Sequence, residues 1–393
     1  MVLPVDAFKF SSRGAICCGR AILIGLGLTS IYIGLLLNNT YYKNKSGPLL
    51  TPKEPVNTSF PLVGDSGQSF VDGLQVKERK PKSTCKEYFL PTVEENVNVI
   101  EQYPAGDALR YMSRIGGHME APRELRKIPV IVTAVDRNFY PIGIGLHWSV
   151  HWHLMKRPEY KNIKVIVYDL GLTRRQRKMM IRNCRCELRK FVYEDYPAHV
   201  KIRKTYAFKP IIIQTVLMEF GFVWWLDSSV RFISGDLEPT LSLARAHGAL
   251  YNVHHDEHNV LGITRQTDAR TFTFLKEDTC KFKPFAEVSA TTVLFYFNSI
   301  TKAVVKAWVK CALNEDCIAP KGSNLKIICD LKDSRDGRCH RFDQSVLGIL
   351  FRRIYHETDI FEPGKSLNKV VEIRRNEVLH YFESCSPIGK CLI

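Results

Sequence analysis

Phe222-Val-Trp-Trp-Leu226 is an unbroken apolar run that ends abruptly at Asp227-Ser228-Ser229-Val230-Arg231-Phe232. A short run that is apolar at every position predicts a strand buried on both faces. The pattern occurs twice more upstream. Ile128-Pro-Val-Ile-Val-Thr-Ala-Val135 ends at Asp136, and Ile163-Lys-Val-Ile-Val-Tyr168 ends at Asp169. Between these runs, Ile142 to Met155 has helical character and Thr173 to Asn183 predicts a basic helix. Strands alternating with helices predict an α/β fold, a mostly parallel sheet covered by helices on both faces. In such open sheets ligands bind beyond the carboxyl ends of the strands. Each of the three runs delivers an aspartate there.

The helix before the third run is well marked. Ile213, Val216, Leu217 and Phe220 recur at helical spacing, and Pro210 suits a first turn. Lys209 then stands at a helix N-terminus, where backbone N–H groups favour an anion. Downstream, Thr291 to Phe297 predicts a strand. Ser299 is expected to cap a helix that places Ile300, Ala303, Val304, Ala307 and Cys311 on one face. Residues 312 to 340 are irregular and cysteine-rich. Asp343 opens a last helix with Leu347, Leu350, Phe351 and Ile354 on one face.

Several groups of residues can carry chemistry, and each also has a plain reading. Asp227 at a strand end supplies a hard oxygen ligand for a divalent ion bridging a diphosphate; it also fits the start of a turn through Ser228 and Ser229. Asn252-Val-His-His-Asp256-Glu-His258 gathers histidines and acids, and His254 and Asp256 would share one face of a strand; it equally fits a polar loop. His340-Arg-Phe-Asp343-Gln344-Ser345 puts an acid at a helix start, either as an N-cap or facing a cleft. Gly143-Ile-Gly145 lacks the third glycine of a dinucleotide fingerprint, since Trp148 holds that place, so the glycines are read as sites of close packing.

The 393 residues carry a net charge of +16, with 45% hydrophobic and 11% aromatic residues, enough for a sizeable core. Basicity raises nucleic acid as a partner, but the Lys and Arg are scattered without a nucleic-acid-binding motif, so none is expected. Of the twelve cysteines, Cys17 and Cys18 precede a hydrophobic stretch and the remaining ten follow it. Their number and the lack of tight zinc-type pairs favour disulfides in an oxidising compartment, with pairing unreadable.

That hydrophobic stretch, Ala21 to Leu37, has no charge and is preceded by Lys9, Arg13 and Arg20. It predicts an uncleaved membrane anchor with a cytosolic N-terminus. The expected organisation is a tail at 1–20, an anchor at 21–37, a luminal stem at 38–84 and a luminal domain at 85–393. Three N-x-S/T sequons cluster just beyond the anchor. Asn44 and Asn57 are expected to be glycosylated, whereas Asn38 lies too near the bilayer.

Taken in order, the aspartate after the first run, Tyr206-Ala-Phe-Lys209-Pro210, Trp225-Leu226-Asp227-Ser228-Ser229 and His340-Arg-Phe-Asp343-Gln344-Ser345 resemble a family. It is a group of type II membrane proteins expanded in nematodes, similar to GT-A (nucleotide-diphospho-sugar) glycosyltransferases. The resemblance spans roughly Ile128 to Tyr355. It implies a GT-A-like fold, a UDP- or GDP-sugar donor, and Mn2+ or Mg2+. It would set Asp136 near the nucleoside, Lys209 near the diphosphate, and Asp343 and Gln344 in the donor-sugar or acceptor region. Asp227 would be the first Asp of the Asp-x-Asp metal motif. The second Asp is Ser229 here. Either Ser229 and a remote histidine (His254 or His255) complete a site around Asp227, or the enzyme is metal-independent. The expected function is a Golgi glycosyltransferase acting on a glycan or protein hydroxyl, with Asp343 as general base or as the acid that positions the sugar. The alternative is a non-catalytic, membrane-anchored glycan-binding protein on a degenerate fold.

Overall fold

A computed structural model describes residue 85 and residues 88–382, apart from 114–121, 123, 254–261, 324–328, 331, 334, 357–363 and 376. The anchor, the stem, Asn44, Asn57 and His254 therefore lie outside the described residues. No helix among the described residues is long and apolar enough to cross a membrane.

The strands are β1 Val130–Val135, β2 Val165–Asp169, β3 Glu187–Lys190, β4 Phe222–Leu226, β5 Val230–Phe232, β6 Ala249–Val253, β7 Val288–Tyr296 and β8 Val371–Ile373. The helices are α1 Val93–Glu101, α2 Leu109–Met112, α3 Tyr140–His153, α4 Arg174–Asn183, α5 Phe208–Phe220, α6 Glu238–His247, α7 Ala269–Phe274, α8 Ser299–Ala312, α9 Glu315–Ile318 and α10 Asp343–Ile354. Six strands form one sheet in the order β3-β2-β1-β4-β7-β6, and β5 pairs with β8 in a separate two-stranded ribbon. β1 is parallel to β2 and β4, and β2 to β3. β7 is antiparallel to both β4 and β6, so it alone runs against the others. The sheet is mostly parallel, as expected.

Alternation along the strands explains why both faces are covered. Val130 and Val132 of β1, with Val223 and Trp225 of β4, join a core beneath α1, α5, α8 and α10. Ile131 and Val135, with Phe222, Trp224 and Leu226, join a second core beneath α3, α4 and α6. Gly143 and Gly145 behave as close-packing positions: a Cβ on Gly145 would collide with the guanidinium of Arg231, and one on Gly143 with Val135.

Three local readings change. The strand expected from Thr291 starts at Val288 and is antiparallel. Ser299 is the first residue of α8, and the cap is Asn298, whose side chain accepts from Thr301 N in a reciprocal capping box. β3 and β6 were not anticipated. β3 is a polar edge strand, Glu-Leu-Arg-Lys, without the apolar signature of a buried one.

Among the described residues the cysteines pair as Cys85–Cys280, Cys184–Cys186, Cys311–Cys317 and Cys329–Cys339. His147 on α3 is buried 3.4 Å from Cys184 Sγ, and burial lowers its pKa to about 3. The unfolded chain therefore binds a proton below about pH 6.5 that the folded chain refuses until about pH 3, so stability falls as pH falls across that window. From this group the loss is about 1.4 kcal/mol per pH unit. Urea unfolding of His147→Gln between pH 6 and pH 4 is expected to show that much less pH dependence than wild type. An equal slope in both proteins would rule out this origin.

Candidate active site

Lys209 is the centre of the site. It lies in the first turn of α5, which follows a left-handed residue, Tyr206, at φ 52°. Its side chain runs under the sheet edge and is only 3% exposed. The ammonium lies 2.7 Å from Asp343 Oδ2 and 3.2 Å from Asp227 Oδ1, and donates to the carbonyl of Ala290 at 3.1 Å. The contact to Ala290 O is a hydrogen bond, and the two carboxylates are ion-paired to the ammonium. The anions beside Lys209 are thus carboxylates of the protein itself. Burial alone would lower the lysine pKa, but Asp227 and Asp343 outweigh it and hold the group charged, above a free lysine.

Asp227 follows β4, and its Oδ1 also accepts from the indole N–H of Trp225 at 2.8 Å. Its backbone opens a tight turn, with Val230 N donating to Asp227 O at 2.9 Å. The turn reading of Asp227-Ser228-Ser229 therefore holds, while the Asp227 carboxylate still faces the cavity. Arg231 locks the turn. Its guanidinium is buried, donates to Ser228 O and Ile142 O, and pairs with Glu377 at 2.7 Å.

Asp343 is the first residue of α10, and the cap position is Phe342, which carries no side-chain cap bond. The capping explanation of Asp343 accordingly fails, and its buried carboxylate is free to meet Lys209. Burial raises the Asp343 pKa, and the Lys209 charge offsets this only in part. Phe342 sits at φ 49° and ψ −112°, sterically unfavourable for an L-residue. Strained backbone at Tyr206 and at Phe342 thus flanks both sides of the Lys209–Asp343 contact.

These groups line a cavity of about 470 Å³ at the carboxyl edge of the sheet, with Gln266, His340, Arg341, Gln344 and Arg375 on its walls. Asp227, Lys209, Asp343 and Gln344 are brought together as the sequence suggested. Asp136 is not among them. Its Oδ1 accepts from Asn138 N and Phe139 N at 2.8 and 2.9 Å, and its Oδ2 meets Arg203 at 3.0 Å. Asp169 is similarly used by Gly171 N, Leu172 N and Arg177. His340 Nδ1 accepts from Asp268 N, and Nε2 lies 2.9 Å from Ile318 O, where it donates. Gln266 and Arg375 were missed by sequence reasoning, and nothing in their local sequence marks them.

Among the described residues, the groups around Asp227 do not fit a divalent ion. Asp227 shares its Oδ1 with an ammonium and an indole N–H. Ser229 is outside the cavity lining, because the turn directs its carbonyl to Arg374 N at 2.7 Å. His254 lies outside the described residues. Among the described residues no group of three or more His, Cys, Asp or Glu could hold a metal ion.

A family model described as a protein of unknown function (DUF1647) matches residues 116–214. No curated protein matches the chain. Similar solved structures are glycosyltransferases. They include the apo bifunctional glycosyltransferase WbbM, at 13% identity and TM-score 0.37, covering 66% of this chain and 48% of that one. Core-mannan synthase A from Aspergillus fumigatus, in an Mn/GDP form, has 8% identity and TM-score 0.29, covering 59% and 71%. Mouse xyloside xylosyltransferase 1 has 10% identity and TM-score 0.34, covering 59% and 83%. The match spans about half the length of the first (48%). At such low scores nothing of those proteins' sites is carried over to this chain.

Proposed function

We propose that the chain is a glycosyltransferase that moves a sugar from a UDP- or GDP-sugar to a hydroxyl of a glycan or protein, in the Golgi lumen behind an N-terminal anchor. One observation supports this reading most. Chain-distant stretches that carry the sequence resemblance, around Lys209, Asp227 and His340 to Gln344, meet on one cavity at the carboxyl edge of a mostly parallel sheet. In the transfer, the acceptor oxygen bonds to the anomeric carbon, and the bond from that carbon to the diphosphate oxygen breaks. The electron pair leaves with the diphosphate. In an inverting displacement Asp343 takes the proton of the attacking hydroxyl, and burial makes it a stronger base than a free aspartate. Gln344 would position the donor sugar, Asp227 would stand beside the leaving group, and the nucleoside would extend toward Asp136 at the end of β1.

A second reading, a glycan-binding protein without turnover, is favoured by the protein's own carboxylates beside Lys209 and by the placement of Ser229 away from the cavity. Thermal melting of the full chain with UDP, GDP or CMP separates the two. At a hundredfold excess over Kd, the cognate nucleotide is expected to stabilise by about 2.7 kcal/mol. If none of the three nucleotides shifts a cooperative melt, the donor site is wrong and the glycan-binding reading takes its place.

A further inference from the structure

We infer that the cavity binds the donor's diphosphate without a divalent cation, the positive charge being supplied by the guanidinium groups of Arg341 and Arg375. This rests on the donor-site reading above.

Charge comes first. Lys209 with Asp227 and Asp343 sums to a net negative cluster, which would repel a diphosphate. Arg341 precedes the strained Phe342, and Arg375 follows β8; both line the cavity. Neither is ion-paired to a carboxylate among the described residues, whereas the adjacent Arg374 is held by Glu372 and Glu377. The bond from Arg374 N to Ser229 O ties this segment to the turn after Asp227. With the two guanidiniums the wall becomes net positive, in the fork geometry that suits phosphate oxygens.

Hydrogen bonding points the same way. Gln266 and Gln344 are 2% and 6% exposed, and the Nε2 of each has no hydrogen-bond partner among the described residues. Buried donors without partners are rare in folded proteins. Here both lie on the cavity wall, where a ligand rich in acceptor oxygens would satisfy them. A diphosphate-sugar brings such oxygens and a bare cation brings none. A divalent cation would also have to approach Asp227 against an ammonium 3.2 Å from its Oδ1.

The test is titration calorimetry of UDP and GDP into the full chain, stripped with EDTA and then with Mn2+ restored. The nucleotide is expected to bind equally well in both, within about threefold. Arg341→Gln and Arg375→Gln should each weaken it about tenfold or more, because each loses charge-assisted bonds. A gain of more than about tenfold on adding Mn2+ would overturn the inference and leave the donor site intact. So would unchanged binding in the double variant. No binding of either nucleotide under either condition, in protein that melts cooperatively, removes the donor site and this inference with it. Inorganic pyrophosphate on the EDTA-stripped wild type needs no variant: it is expected to compete with the nucleotide, and failure to compete also overturns the inference.

Discussion

Lys209→Met is expected to lower the unfolding free energy by about 3 kcal/mol at pH 7, because it removes the cation from a buried ion pair and leaves its partner uncompensated. The methionine fills most of the lysine's volume, so the loss reports charge rather than a void. Asp343 bears it, being buried beside Lys209, while Asp227 is partly open to water. The sign of the pH dependence follows. The Asp343 pKa is already raised by burial, and without Lys209 it rises further. Between the unfolded and folded values the folded state binds more protons, so the variant regains stability as pH falls. The deficit relative to wild type should therefore be smaller at pH 5 than at pH 7. Adding Asp343→Asn should recover much of it, since sites in contact are not additive. Equal melting temperatures for wild type and Lys209→Met at pH 7 would show that the cluster carries no such charge coupling.

Asp343→Asn is expected to lower kcat about 10²–10⁴-fold, the range of a lost general base, with the donor KM little changed. The amide keeps the shape of the carboxylate and can still accept from Lys209, which retains Asp227 and Ala290 O as partners. The variant should thus fold and bind nucleotide. Single-turnover transfer with a radiolabelled donor separates the roles. Intact transfer would reduce Asp343 to a counter-ion of Lys209. Loss of nucleotide binding together with turnover would make it part of the donor site rather than the base.

Much of the architecture was legible locally. The apolar runs at β1, β2 and β4 carry their own signature because both faces of those strands are buried. β3, exposed on the edge, carries none. Helix ends were less legible. Ser299 and Asn298 are both good caps, and only the reciprocal bond to Thr301 decides between them. Asp343 was ambiguous for the same reason: an acid at a helix start satisfies two rules at once.

What the sequence determined by itself is whatever depends on neighbours a few residues apart: burial periodicity, helix faces, and an acid at each strand end. Those patterns put Asp227 at the ligand-binding edge and Lys209 in a first helical turn. Tertiary structure alone decided the rest. It inserted β7 between β4 and β6, paired the cysteines, turned Ser229 out of the cavity through a β-turn, and brought Asp343 to Lys209. It also placed Gln266 and Arg375, from segments without any motif, on the same wall. The physical reason is that the chain's course through the sheet sets which distant side chains meet, and no periodicity within one segment encodes that course.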